Sequence, residues 1–277
     1  LKKFHNKFKK LKESQFAKDS IDILFSEMLS RYKNAMPTDI TSTFNLYQDV
    51  WQFYEDVGDH TNAIKCQEDF IRISSLHDNP NTEFLLQAYS VLVNQLLYNG
   101  QCEKAIETVY VSVFNIIDNG LKEANSVEEV MSLKASKINM QTAYLLCARH
   151  MGDGNLQQEI LKTSENLVME KYDDFPNYNL YKADLLGMMA SSYMRMGDLP
   201  KAAIFLDLYE KYMQPVDIID EILLSFRKLY LYSLEKNETK FNKELKVFNL
   251  MYNRALTQFS SDTEEYLLAK GNKAGVL

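Results

Sequence analysis

Glycine and proline are scarce in this chain, nine and five among 277 residues. Loops depend on both and helix interiors tolerate neither, so few and short connections are expected. Histidine occurs four times, and His5, His60, His77 and His150 carry no metal-ligand spacing. Each reads as a surface or turn residue. Cysteine is limited to Cys66, Cys102 and Cys147, odd in number and far apart in sequence. They read as three reduced, largely buried thiols, since free Cys behaves as a small hydrophobe. That favours the cytoplasm, with the periplasm as the other option. No run approaches ~18 apolar residues, so no transmembrane segment is expected. No apolar core follows the basic start, so no signal peptide is expected either. Leu1 in place of Met fits a piece processed or excised from something longer. No Gly-rich segment ends in Gly-Lys-Ser or Gly-Lys-Thr, which removes a phosphate-cradling loop. Positive charge is outnumbered, leaving a net −7, so no direct nucleic-acid binding by this segment is expected.

What is present favours helices. The 46% hydrophobic and 25% charged content is ordinary for a folded protein. Leu, Met, Ala, Glu, Lys and Gln, all good helix formers, are plentiful. Tyr and Phe, 17 and 15 in number, suit the wide gaps between helix layers.

One phrase recurs: an apolar helix ending, then Gly, a polar residue or two, and Ala a few places on. It runs as Tyr54-Glu55-Asp56-Val57-Gly58-Asp59 before Ala63-Ile64, and as Leu97-Tyr98-Asn99-Gly100-Gln101 before Ala105-Ile106. It returns as Tyr193-Met194-Arg195-Met196-Gly197-Asp198 before Ala202-Ala203. Weaker copies lie at Met151-Gly152-Asp153 and Leu234-Glu235-Lys236-Asn237. Gly ends the first helix by entering the left-handed region, and the small Ala lets two backbones approach. Gly58, Gly100, Gly197 and Asn237 are thus expected to mark tight turns between antiparallel helices. The stripe Phe44, Tyr47, Val50, Trp51 and Tyr54 before Gly58, and Ala63, Ile64, Phe70, Ile71 and Ile73 after it, have helical spacing. Asn79-Pro80, Phe175-Pro176 and Gln214-Pro215 separate the hairpins. Clear hairpins are expected at 41–76, 82–118 and 179–213, and weaker ones at 126–171 and 217–257. Helices over about 14–33 and 262–270 would cap the ends.

The spacing Trp51-Tyr54-Gly58-Ala63 resembles the tetratricopeptide pattern of aromatic, aromatic, glycine, alanine. Val93-Gly100-Ala105 and Ala190-Tyr193-Gly197-Ala202 match in the same register. The resemblance covers roughly 40–257, although the turns recur every 40 to 52 residues against about 34 for the family. It implies an all-α fold: a single domain, 1–277, forming an α-α superhelix of about five hairpins with capping helices. Its concave face would be made by the first helix of each pair. Regions with such long repeats resemble the sensors ahead of bacterial signalling modules of Bacteroidetes type, and the peptide-pheromone receptors of Gram-positive bacteria. The first implies the sensory or adaptor part of a signalling protein; the second, the effector domain of a DNA-binding regulator.

In the family register, groove positions lie thirteen, ten, six and three residues before the turn glycine. These are Asn45, Gln48, Gln52 and Glu55, then Gln87, Ser90, Asn94 and Leu97, then Asp184, Gly187, Ser191 and Met194. Amides and hydroxyls predominate where Lys and Glu would serve solubility as well. Asn and Gln carry both donor and acceptor, so they can bond an extended peptide backbone whatever its side chains. A protein or peptide ligand is the expected partner, with a homodimer as a further option. No catalytic constellation, cofactor or metal site is expected. Asp217, Asp220 and Glu221 follow Pro215, where acids at a helix start complement its dipole better than they argue for acid–base chemistry. Residues 1–12 hold six Lys and no acid, with Phe4, Phe8 and Leu11 on one helical face. A membrane-proximal segment, the edge of a DNA-binding head and a solvated capping helix all fit.

Overall fold

A computed structural model describes residues 2–12, 17–31, 39–76, 81–170, 175–213 and 218–258. Among the described residues the chain is all α, with twelve helices and no strand. They are α1 (Lys2–Lys12), α2 (Ala17–Arg31), α3 (Ile40–Asp56), α4 (His60–Ser74), α5 (Thr82–Tyr98) and α6 (Cys102–Glu123). There follow α7 (Val127–Met151), α8 (Gly154–Met169), α9 (Pro176–Met196), α10 (Leu199–Tyr212), α11 (Ile218–Leu234) and α12 (Glu238–Gln258). None is long and apolar enough to cross a membrane.

The short turns follow from one piece of chemistry. Gly58 takes φ of 73°, a left-handed value that costs a side-chain-bearing residue about 1–2 kcal/mol. Its N–H bonds the Glu55 carbonyl at 2.9 Å, and the Asp59 N–H bonds the Tyr54 carbonyl at 2.8 Å. This pair of bonds closes the end of α3 in the Schellman manner. Asp59 then turns outward to cap α4, its carboxylate accepting from the Asn62 N–H at 3.2 Å. Asp198 does the same after Gly197, bonding the Tyr193 carbonyl at 3.0 Å and accepting from the Lys201 N–H at 3.2 Å.

The turn before α12 corrects the reading of Asn237. Lys236 is the left-handed residue, at φ 55°. Asn237 follows it: its N–H bonds the Tyr232 carbonyl at 2.9 Å, and its side chain accepts from the Lys240 N–H at 3.1 Å. With no glycine present, the side-chain oxygen of Asn is worth more as a helix cap than its tolerance of positive φ. Pro176 opens α9 in its first turn, where its missing N–H costs nothing. Pro80, Pro215, Asp217 and His77 lie outside the described residues, as does the helix expected at 262–270.

The helices gather into two compact units, Leu1–Gly152 and Asp153–Leu277. In the first, Phe25 packs edge-on against Tyr47 and Tyr54, at 6.3 and 5.8 Å between ring centres. Phe70 meets Phe44 and Tyr47 at 5.3 and 5.6 Å. The small residues Ala63 and Ala105 are fully buried, as close helix approach requires. The α1 helix lays Phe8 edge-on against Phe53 at 6.3 Å and ties Lys7 to Glu27 at 3.1 Å. Its apolar face is therefore spent on packing, and Lys3, Lys9, Lys10 and Lys12 remain exposed. In the second unit, the buried Lys182 ammonium donates to the Glu170 carbonyl at 2.6 Å and lies 4.1 Å from the Tyr212 ring centre. The α11–α12 pair closes over Ile222, Leu229 and Phe248, with Asp220 and Glu221 in the first turn of α11.

Candidate ligand-binding face

Helices α3, α5 and α7 each precede a left-handed turn in the first unit, and two contacts tie their faces together. Phe44 of α3 stacks on Phe84 of α5, with ring centres 4.4 Å apart and planes 4° from parallel. The Asn139 amide of α7 donates to Ser90 Oγ of α5 at 3.1 Å. Asn139 stands thirteen residues before Gly152, and Ser90 ten before Gly100. Both are groove positions of the family register, but Asn139 belongs to a turn that lacks the aromatic and alanine companions, so the sequence reading passed it over.

The residues expected to line the face divide by exposure. Asn45, Gln52, Gln87 and Asn94 are exposed; Gln48, Glu55 and Ser90 are half-buried. Leu97, at 8% exposure, belongs to the core instead, because the last helical turn before Gly100 rotates it inward. Gln52 donates to Asp56 at 2.9 Å, and Glu55 meets the His60 imidazole at 3.0 Å. The amides of Asn45, Gln87 and Asn94 bond no other described residue. Two buried donors on the same stretch of α3, Gln48 Nε2 and Trp51 Nε1, also have no acceptor among the described residues. An amide or indole N–H without an acceptor costs free energy in a dry site, so this face holds hydrogen-bonding capacity that the fold leaves unused.

The second unit carries Asp184, Gly187, Ser191 and Met194 on α9. Asp184 is exposed and Ser191 half-buried, its hydroxyl donating to the Gly187 carbonyl at 2.9 Å. Met194, 3% exposed, is core. Gly187 is covered: a Cβ built there would stand 2.8 Å from a guanidinium nitrogen of Arg227. Arg227 reaches across from α11 and lies 4.6 Å from the Tyr209 ring centre, a cation–π arrangement. No carboxylate among the described residues comes within ion-pair distance of it. The Asp184 carboxyl is raised above the usual carboxylate range by desolvation, which outweighs the attraction of Arg227, and Asp220 adds to the rise. The sequence reading missed Arg227 because it lies outside the four family positions.

Other features offer less. Six residues of α2 (Asp22, Ile23, Ser26, Glu27, Ser30 and Arg31) border a shallow depression; one helix supplies all six, so no opposing walls converge on a ligand. No group of three His, Cys, Asp or Glu among the described residues could hold a metal ion. Cys66, Cys102 and Cys147 are all free and buried. His60 and His150 are exposed. Comparison with protein-family models, curated proteins and solved structures finds no match to this chain.

Proposed function

We propose that this chain is a non-catalytic scaffold that binds a protein or an extended peptide, and that the amide-lined face of α3, α5 and α7 receives it. One observation carries the reading: Asn45, Gln87 and Asn94 are exposed, and their amides bond no other described residue. Each offers a donor and an acceptor, the complement of a peptide backbone that has lost its own partners. The second unit carries a polar group of its own, Asp184, Ser191 and the stacked Arg227. Following the tetratricopeptide resemblance, we place the chain in the sensory or adaptor part of a bacterial signalling protein. A second reading, the effector domain of a DNA-binding regulator, draws on the exposed lysines of α1.

A phage-displayed library of random linear peptides, panned on the purified chain, tests the binding reading. Enriched peptides should lose about tenfold in affinity with Asn94→Ala or Gln87→Ala, while circular dichroism and melting stay unchanged. A library that yields no binder, or binders indifferent to both substitutions, removes the proposal. Retention of duplex DNA by the full-length gene product, released by the same peptides, would favour the second reading.

A further inference from the structure

Cys102 and Cys147 are 45 positions apart in the chain and meet in the fold. Helices α6 and α7 run antiparallel from the short connection at 124–126, and their register is visible in three contacts. Lys137 Nζ reaches Asp118 at 2.7 Å and lies 5.6 Å from the Phe114 ring centre. Tyr144 meets Tyr110 edge-on at 5.1 Å. Continuing the pairing toward the start of α6 brings Cys102 close enough to Cys147 for the two thiols to act on one another. Neither is in a disulfide.

The two sulfurs have different surroundings. Cys102 is the first residue of α6, and Gln101 before it makes no side-chain capping bond. The open N–H groups at that helix start favour negative charge beside the Cys102 sulfur. Cys102 keeps 5% exposure and Cys147 none. Burial pushes the Cys147 thiol up to about 12, with Cys102 reinforcing the shift. Cys147 therefore holds its proton. Cys66, fully buried, donates to the Tyr47 carbonyl at 3.4 Å, and provides an internal control.

We propose that Cys102 and Cys147 are a modification site, forming a reversible disulfide when the protein meets a hydroperoxide. The Cys102 thiolate attacks one peroxide oxygen, breaking the O–O bond; it becomes a sulfenic acid and hydroxide leaves. Cys147 sulfur then attacks the Cys102 sulfur, the S–O bond breaks, and the departing hydroxide takes the Cys147 proton as water. In sum two thiols and one hydrogen peroxide give one disulfide and two waters, the protein losing two electrons and the peroxide gaining them. The bond would fasten the start of α6 to the last turns of α7, the helix that brings Asn139 to Ser90.

The test uses the wild-type chain, reduced, desalted and exposed to hydrogen peroxide, then alkylated under denaturing conditions and digested without reductant. Mass spectrometry should find the Cys102 and Cys147 peptides joined and lighter by two hydrogens, with Cys66 alkylated and dithiothreitol restoring all three thiols. Cys147→Ser should instead leave a Cys102 sulfenic acid that dimedone traps. A Cys102 sulfinic acid without the cross-link, a cross-link between two copies, or thiols unchanged at peroxide levels that oxidise free cysteine would each overturn the proposal. The wild-type peptide map decides it even if the serine variant fails to fold.

Discussion

Tyr54 donates its hydroxyl to Asp22 Oδ1 at 2.9 Å, joining α3 to α2 through two buried or half-buried groups. The position recurs in the second unit: Tyr193, like Tyr54 four residues before its turn glycine, donates to Glu165 of α8. Lysines complete both arrangements. Lys18 reaches Asp22 at 3.0 Å and Asp59 at 2.8 Å, while Lys201 reaches Glu165 at 2.7 Å. The hydroxyl and the ammonium together anchor the turn end of a first helix to the helix before it.

Removing only the hydroxyl measures that anchor. Tyr54→Phe keeps the ring against Phe25 and leaves Asp22 with Lys18 alone, so a loss of about 1–2 kcal/mol is expected. Urea denaturation followed by circular dichroism gives the number, and a change within error would show that the bond contributes nothing net.

Gly197 separates backbone strain from crowding, because a Cβ there would meet nothing within 4 Å while φ is 79°. Any cost of substitution is therefore conformational. Gly197→Val should destabilise by about 2 kcal/mol or more, and Gly197→Asn by less than about 1 kcal/mol, since Asn tolerates positive φ. Equal melting temperatures for the two variants would count against the turn as described.

Asp184 makes stability depend on pH in a direction opposite to most carboxylates. Its raised value means the folded chain takes up a proton at higher pH than the unfolded one. Stability contributed at this site falls as pH rises from the unfolded value through the folded one, and the penalty is complete above it. Asp184→Asn should therefore raise the melting temperature near pH ~7 and give no gain near pH ~3, where both states are protonated. Thermal melts at the two pH values check it; a gain that is the same at both would place the effect elsewhere.

The bond between Asn139 and Ser90 should appear as a coupling. Ser90→Ala and Asn139→Ala are each expected to cost about 0.5–1.5 kcal/mol, and the double variant less than their total. Full additivity in a double-mutant cycle would mean that the two groups do not support each other.

The helices and turns were legible because their signals are local. A left-handed residue at the close of a helix calls for glycine, and Gly58, Gly100 and Gly197 announced themselves beside apolar stripes of helical period. Lys236 gave no such notice, since nothing in a lysine advertises positive φ, and the neighbouring Asn237 drew the assignment one residue too far. The face was legible in part. Counting back from a turn gives Asn45, Gln52, Gln87 and Asn94, which are exposed, but near the turn it runs into residues that the hairpin buries, Leu97 and Met194. Asn139, Arg227 and the paired thiols escaped notice for a different reason. Each owes its place to the register between helices distant in sequence, and no local spacing encodes that.

Asp59, Asp198 and Asn237 each finish one helix with the backbone N–H and begin the next with the side chain. One residue is thus a member of two hydrogen-bond ladders at once, and neither helix can fray at that end without releasing the other. Amide exchange along α3 and α4, α9 and α10, or α11 and α12 should accordingly proceed hairpin by hairpin, with paired helices sharing one opening energy.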